Sequence, residues 1–411
     1  MNIPTPTLLD RFCRYVRVHT EAVEGSPSYP SSPGQLELGK MLRDELLAIG
    51  LADVKQSEFG IVMATIPATV PGKPTIAWIA HVDTSPETTG KNVKPIVHAN
   101  YDGKDIPLPG DSTKIIRVAD SPDLLKCVGK TVITTDGTTL LGADNKAGVA
   151  VIMETAAYLV QHPEIPHGPI RVVFTCDEEI GHGVDHADPK EIGAIVGYTL
   201  DGAAEGEIEA ETFSADKAIV TIKGVNIHPS IGKGRMINSV RLAGLFLERL
   251  PRTSLSPETT EGRQGFIHPY KIDGGVAETQ VHCLLRDFIT AKLDEQAELL
   301  RTIARTIAAE YSGAKIDVAV APQYRNMADG MKSEPRAVEY AIEATRRAGM
   351  EPKLGSIRGG TDGSQLTAKG LPTPNISTGE HNLHSPLEWT CLEEMQSAVR
   401  VLVELAQVWA K

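Results

Sequence analysis

Five short segments carry residues suited to metal-assisted hydrolysis: HVD at His81 and Asp83, GADNKAG at Asp144, DEE at Asp177 to Glu179, LDG at Asp201, and HNLHS at His384. Imidazole and carboxylate donors without thiolates suit zinc, with cobalt or manganese as substitutes. Each segment alone has a bland explanation. A histidine after a strand is commonly a buried residue with a hydrogen-bond partner, an aspartate before a helix commonly caps it, and paired glutamates commonly face solvent. Their coincidence changes the reading. Carboxylates gathered in one crevice repel one another unless a cation lies between them, and two divalent ions sharing an aspartate remove that cost.

The chemistry follows from the donors. A metal-bound water is acidified toward neutrality, and a carboxylate within hydrogen-bonding reach can take its proton and pass it to a leaving amine. Adjacent glutamates divide that labour: one ligates, and its neighbour, turned by the alternation of the chain, faces the water. Asp83, two residues after His81, is placed to accept a hydrogen bond from the other imidazole nitrogen and so fix its tautomer. His182 and His186 in GHGVDH read as turn residues and not as ligands.

The elements that must position these residues are legible in the apolar pattern. A chain of 411 residues exceeds what one core usually supports, so two domains are expected. Up to about residue 210, strand-like runs (75–80, 169–175, 195–200) alternate with amphipathic helices (34–49, 146–161), which predicts an α/β sheet covered by helices. Most of the candidate ligands directly follow a strand, and ligands in open α/β sheets collect outside the carboxyl ends of strands. Residues 211–325 change to a βαββαβ order, which suggests a compact α+β, ferredoxin-like insert. Residues 326–411 return to the first pattern, so the expected organisation is a split domain, 1–210 and 326–411, interrupted by the insert. Residues 84–130, rich in Gly, Pro and Asp, read as a long excursion without an assigned structure.

Composition excludes other classes. The net charge of −12 and the lack of a Lys/Arg stripe argue against nucleic acid. No apolar run approaches the length of a membrane span, and the N-terminus lacks the apolar region of a secretory signal, so a cytoplasmic location is expected. The five cysteines (Cys13, Cys127, Cys176, Cys283, Cys391) show no spacing that indicates a disulfide framework or a cysteine-zinc site. Cys176, beside the carboxylates, reads as a small buried apolar residue.

Longer stretches carry a resemblance. HVDTSP, ITTDGTTLLGADNKAG, IPHGPIRVVFTCDEEIGHG, KGVNIHPSIGKGRMIN, PETTEGRQGF, RDF and IRGGTDG, in this order, resemble the zinc-dependent exopeptidase family that holds tripeptide-trimming aminopeptidases, several dipeptidases, aminoacylase and carboxypeptidase G. The resemblance covers essentially the whole chain. It implies two zinc ions bridged by Asp144, with His81 and Asp201 completing one site and Glu179 and His384 the other. It also implies Glu178 as general base and Asp83 as the residue that tunes His81. The insert would be a lid that carries homodimer contacts. Its His228 would help stabilise the oxyanion, and Asn238, Arg286 and Arg358 would hold the peptide backbone and its C-terminal carboxylate. The implied activity is release of the N-terminal residue from tripeptides, with a dipeptidase or N-acyl amino acid hydrolase as the alternative.

Overall fold

The computed structural model describes residues 5–411. They divide into two compact units. The first comprises the chain up to Ala210 with Met327–Ser356 and Thr361–Lys411, and the second is Glu211–Asn326 with Ile357–Gly360.

The first unit is built on an eight-stranded mixed sheet, in the order Ala52–Gln56, Val62–Ile66, Ile170–Thr175, Ile76–His81, Val196–Leu200, Asn375–Ile376, Glu207–Thr212, Lys353–Ile357. Its centre is parallel: Ile76–His81 pairs in parallel with both Ile170–Thr175 and Val196–Leu200. Central parallel strands are covered on both faces, which is why these segments read as unbroken apolar runs and every residue of Ile76–His81 is buried. The period of two still sorts them. Trp78 and Ala80 join the cluster under the helices Ala143–Gln161 and Leu392–Trp409, while Ala77 and Ile79 join a smaller cluster with Leu366 and Leu371 on the opposite face. The helix Ala143–Gln161 is buried along nearly its whole length, so its weak polar face in the sequence reflects a position inside the unit.

The excursion over 84–130 has a structure of its own. Ile96–His98 and Val132–Thr134 pair antiparallel, and the small sheet continues through Trp389–Cys391 to Glu380–His381. Tyr101, Ile106, Leu124, Cys127 and Trp389 form an apolar cluster beneath it. These strands are only two or three residues long, too short for periodicity to reveal.

In the second unit a four-stranded antiparallel sheet runs in the order Phe266–Gly274, Glu278–Asp287, Ser214–Lys223, Lys315–Tyr324. With the helices Ser239–Glu248 and Ala291–Glu310 this gives the βαββαβ, ferredoxin-like arrangement. The inward residues of Ser214–Lys223, namely Ala218, Val220 and Ile222, pack with Phe246, Leu300 and Ile307 from the helices. Among the described residues no helix is long and apolar enough to cross a membrane.

Candidate metal centre

His81 is the last residue of the central strand Ile76–His81, and Asp201 directly follows its neighbour Val196–Leu200. Chain direction therefore delivers both to the carboxyl edge of the parallel sheet. Asp201 is fixed there by its backbone, whose N–H donates to Ile376 O at 3.2 Å and to Asn375 Oδ1 at 3.1 Å. Asp144 lies in the first turn of Ala143–Gln161, where it and Asn145 depart from helical geometry. Its side chain thus points into the crevice.

Asp144 presents its two oxygens to two different histidines. Oδ1 is 3.0 Å from His81 Nε2, and Oδ2 is 3.2 Å from His384 Nε2. Around the first oxygen Asp201 Oδ1 approaches His81 Nε2 at 3.7 Å. Around the second, Glu179 Oε2 lies 2.9 Å from His384 Nε2. Two donor triads result, His81/Asp144/Asp201 and Asp144/Glu179/His384, each with its atoms within 4.8 Å of one another.

Asp83 ties this edge together. Its Oδ1 is 3.3 Å from His81 Nδ1, and its two oxygens accept the N–H groups of Glu178 at 3.1 Å and Glu179 at 3.0 Å. One buried carboxylate thereby sets both the imidazole and the turn that carries the paired glutamates. The third acid of DEE does something else. Asp177 adopts φ 61° and takes hydrogen bonds from Ser31 N–H and Gln35 Nε2, each at 2.6 Å, away from the histidines. His182 pairs with Asp185 at 2.7 Å, and His186 stacks on Phe59 at 3.7 Å, so neither belongs to the triads.

The electrostatics of the cluster are those of crowded, buried carboxylates. Burial, then the charge of Asp144, pushes the Glu179 carboxyl up to about 8. Burial also raises Asp201, and Glu178 well above the usual carboxylate range. Hydrogen bonds to Asp144 and Glu179 push the His384 imidazole up to about 11. Burial opposes ionisation of Asp144, but its hydrogen bonds to His384 and His81 outweigh it and lower its carboxyl. Glu179 Oε1 is buried without a hydrogen-bond partner, in a side chain only 5 % exposed. Carboxylates that crowd this closely, one with an unmet oxygen, fit a divalent cation on each side of Asp144.

A comparison with family models matches residues 136–408 to "Peptidase family M20/M25/M40". The chain belongs to this family. The M20 relatives extend the likeness over the whole chain. It is 45 % identical over 403 residues to Peptidase T of Geobacillus sp. (strain WCH70), covering 98 % of both. Among solved structures it is similar to aminopeptidase PepT from Bacillus cereus ATCC 10987, with TM-score 0.77, 26 % identity and full coverage of both chains. A tripeptidase from Staphylococcus aureus subsp. aureus mu50 shares the fold at TM-score 0.78 and 24 % identity, over 99 % of each chain. The matched M20 segment begins after His81 and Asp83, so these two rest on the geometry.

The other four expected site residues of this M20 chain lie in the second unit, and each has partners within it. Asn238 caps the helix Ser239–Glu248, its Oδ1 accepting from Val240 N–H at 3.0 Å. Arg286 donates to the carbonyls of Asp216 and Leu285 at 3.2 and 3.0 Å and lies over the Tyr324 ring. Arg358 donates to Gly262 O at 2.6 Å and Gln264 O at 3.0 Å, between Phe213 and Phe266. His228 is an exposed residue whose Nδ1 meets Ser230 Oγ at 2.7 Å.

Two supporting acids escaped the sequence reading. Glu388 is 1 % exposed and accepts three backbone N–H groups, from Leu141 at 2.7 Å, Gly142 at 2.8 Å and Asp144 at 3.1 Å. It holds the loop that presents Asp144. Asp362 accepts Thr175 Oγ1 at 2.6 Å at the end of the neighbouring strand. Asp362 sits in the quoted IRGGTDG and Glu388 lies three residues beyond HNLHS, but a carboxylate that acts through a hydrogen bond to a remote segment has no spacing of its own to signal it.

Proposed function

We propose that this chain is a two-zinc aminopeptidase that releases the N-terminal residue of tripeptides. The observation that carries this reading is the division of the Asp144 carboxylate between two histidine–carboxylate sets. His81, Asp144 and Asp201 would hold one ion, and Asp144, Glu179 and His384 the other; cobalt or manganese would fit the same donors. When bound, the ions supply an acidified water and polarise the scissile carbonyl.

The chain's own residues do the rest. Glu178 is held beside Glu179 through the shared Asp83 anchor, where it takes the water proton and returns it to the departing amine. Asp83 keeps the His81 ring oriented so that Nε2 faces Asp144. The second unit serves in this reading as lid and homodimer element, His228 stabilises the oxyanion, and Asn238, Arg286 and Arg358 hold the peptide. His228 is the one of these with an exposed ring, which spends Nδ1 on Ser230 of its own unit, while the other three spend polar groups on carbonyls and N–H groups there. The aminopeptidase reading is supported by the likeness to Peptidase T and to aminopeptidase PepT over essentially the whole chain, and the Staphylococcus aureus protein of the same fold is a tripeptidase.

Incubation with a dipeptide, a tripeptide, a tetrapeptide and an N-acetyl amino acid, with added zinc, manganese or cobalt, tests the substrate class. Release of the N-terminal residue from the tripeptide alone is expected. Cleavage of only the acylated substrate would make the chain an N-acyl amino acid hydrolase, and cleavage of only the dipeptide a dipeptidase.

A further inference from the structure

Two cysteines far apart in sequence meet inside the first unit. Cys127 ends the short helix Pro122–Cys127, and Cys391 ends the strand Trp389–Cys391 at the N-cap of Leu392–Trp409. The spacing of the cysteines gave no sign of this. Both side chains are buried, and their sulfurs lie with a carboxylate oxygen of Glu394 within 4.8 Å of one another. Glu394 is itself 4 % exposed, and its Oε2 is 2.8 Å from Nε2 of His381, whose ring stacks on Trp389 at 3.8 Å. A further oxygen, Glu393 Oε2, lies 3.4 Å from Cys391 Sγ.

The surroundings make this grouping expensive without a ligand. Both cysteines belong to the apolar cluster of Tyr101, Ile106, Leu124, Val132 and Trp389. A carboxylate beside such a cluster loses hydration that one imidazole only partly replaces. In a tetrahedral zinc site with Zn–S near 2.3 Å, neighbouring donors stand about 3.5–3.8 Å apart, a separation the observed grouping accommodates. Sulfur with oxygen or nitrogen donors, closed off from solvent, is the donor set of a structural site and differs in kind from the oxygen and imidazole set around Asp144. A disulfide would use the two sulfurs but leave the placement of Glu394 without a role, and thiols this deeply buried are sheltered from oxidants.

We propose that Cys127, Cys391 and Glu394 form a second, structural site for a zinc-class divalent cation, with His381 orienting the Glu394 carboxylate and a Glu393 oxygen as the adjacent fourth donor. The ion fastens the excursion over 84–130 to the start of the last helix. That start lies four residues beyond Glu388, the residue that holds the Asp144 loop, so the same ion steadies the frame of the metal centre. The site does not depend on the peptidase reading.

Cobalt substitution tests it through a signature the Asp144 centre cannot give. Thiolate ligation produces a near-ultraviolet sulfur-to-cobalt charge-transfer band, whereas carboxylate and imidazole donors do not. The cobalt-loaded full chain is expected to show the band, to keep it in Asp144→Asn, and to lose it with one cobalt per chain in Cys127→Ser and Cys391→Ser. A wild-type measurement stands apart from how those variants fold: cobalt-edge X-ray absorption of the loaded protein should show sulfur among the atoms bound to the metal, and spectra with oxygen and nitrogen donors alone overturn the proposal. A cobalt-loaded wild type with no such band overturns the proposal. So does a Cys127–Cys391 disulfide found in peptides of the protein purified with zinc.

Discussion

The two units of this M20 chain treat their polar side chains in opposite ways. In the first, Asp144, Asp201, Glu179, His81 and His384 turn toward one another, and Glu179 keeps an oxygen with no partner. In the second, Arg286, Arg358 and Asn238 are spent on carbonyls and N–H groups of their own unit. A buried polar group without a partner costs free energy, so the first arrangement calls for something from outside the chain, whereas these three residues of the second already have partners in the protein. A motif match treats both groups alike. The geometry separates them.

The contrast can be broken or sharpened by substitution. Asp144→Asn should have the largest effect, because one residue serves both triads: metal analysis should show loss at both, and tripeptide hydrolysis should fall to background. Glu178→Gln should lower kcat by about 10³-fold, within the range for a positioned general base, while metal content stays as in the wild type. Unchanged turnover in that variant would remove Glu178 from the mechanism. Glu388→Gln weakens the hold on the Asp144 loop and should reduce metal affinity about 10–100-fold, read by competition with a chelator.

Effects in the second unit should be smaller and of another kind. Arg358→Ala should lower stability by about 1–2 kcal/mol through its lost carbonyl contacts, seen as a lower melting temperature. A rise in KM for a tripeptide much larger than for a blocked C-terminal amide would assign it a carboxylate-binding role as well. Asn238→Ala should cost about 1 kcal/mol as a lost helix cap, with metal content unchanged.

The sequence made the fold legible where its signals are long. Central strands such as Ile76–His81 are continuous apolar runs, and the βαββαβ order of the second unit survives in its periodicity. The ligand segments were legible because chain direction puts strand ends at one sheet edge, so short motifs at those ends converge. The small sheet at Ile96–His98 and Val132–Thr134 was not, since strands of three residues carry no period and the second of them finds its other partner, Trp389–Cys391, near the far end of the chain. Glu388 and Asp362 were missed for a related reason: each acts through a hydrogen bond to a segment remote in sequence. The same distance hid the meeting of Cys127 and Cys391.

The central claim is that one aspartate holds two ions. Anomalous diffraction at the zinc edge, from crystals of the zinc-loaded protein, addresses it directly. Two peaks about 3.5–4 Å apart are predicted, one beside His81 and Asp201, the other beside Glu179 and His384, with the Asp144 carboxylate between them. A single peak there, or two peaks with Asp144 bound to only one, would contradict the account.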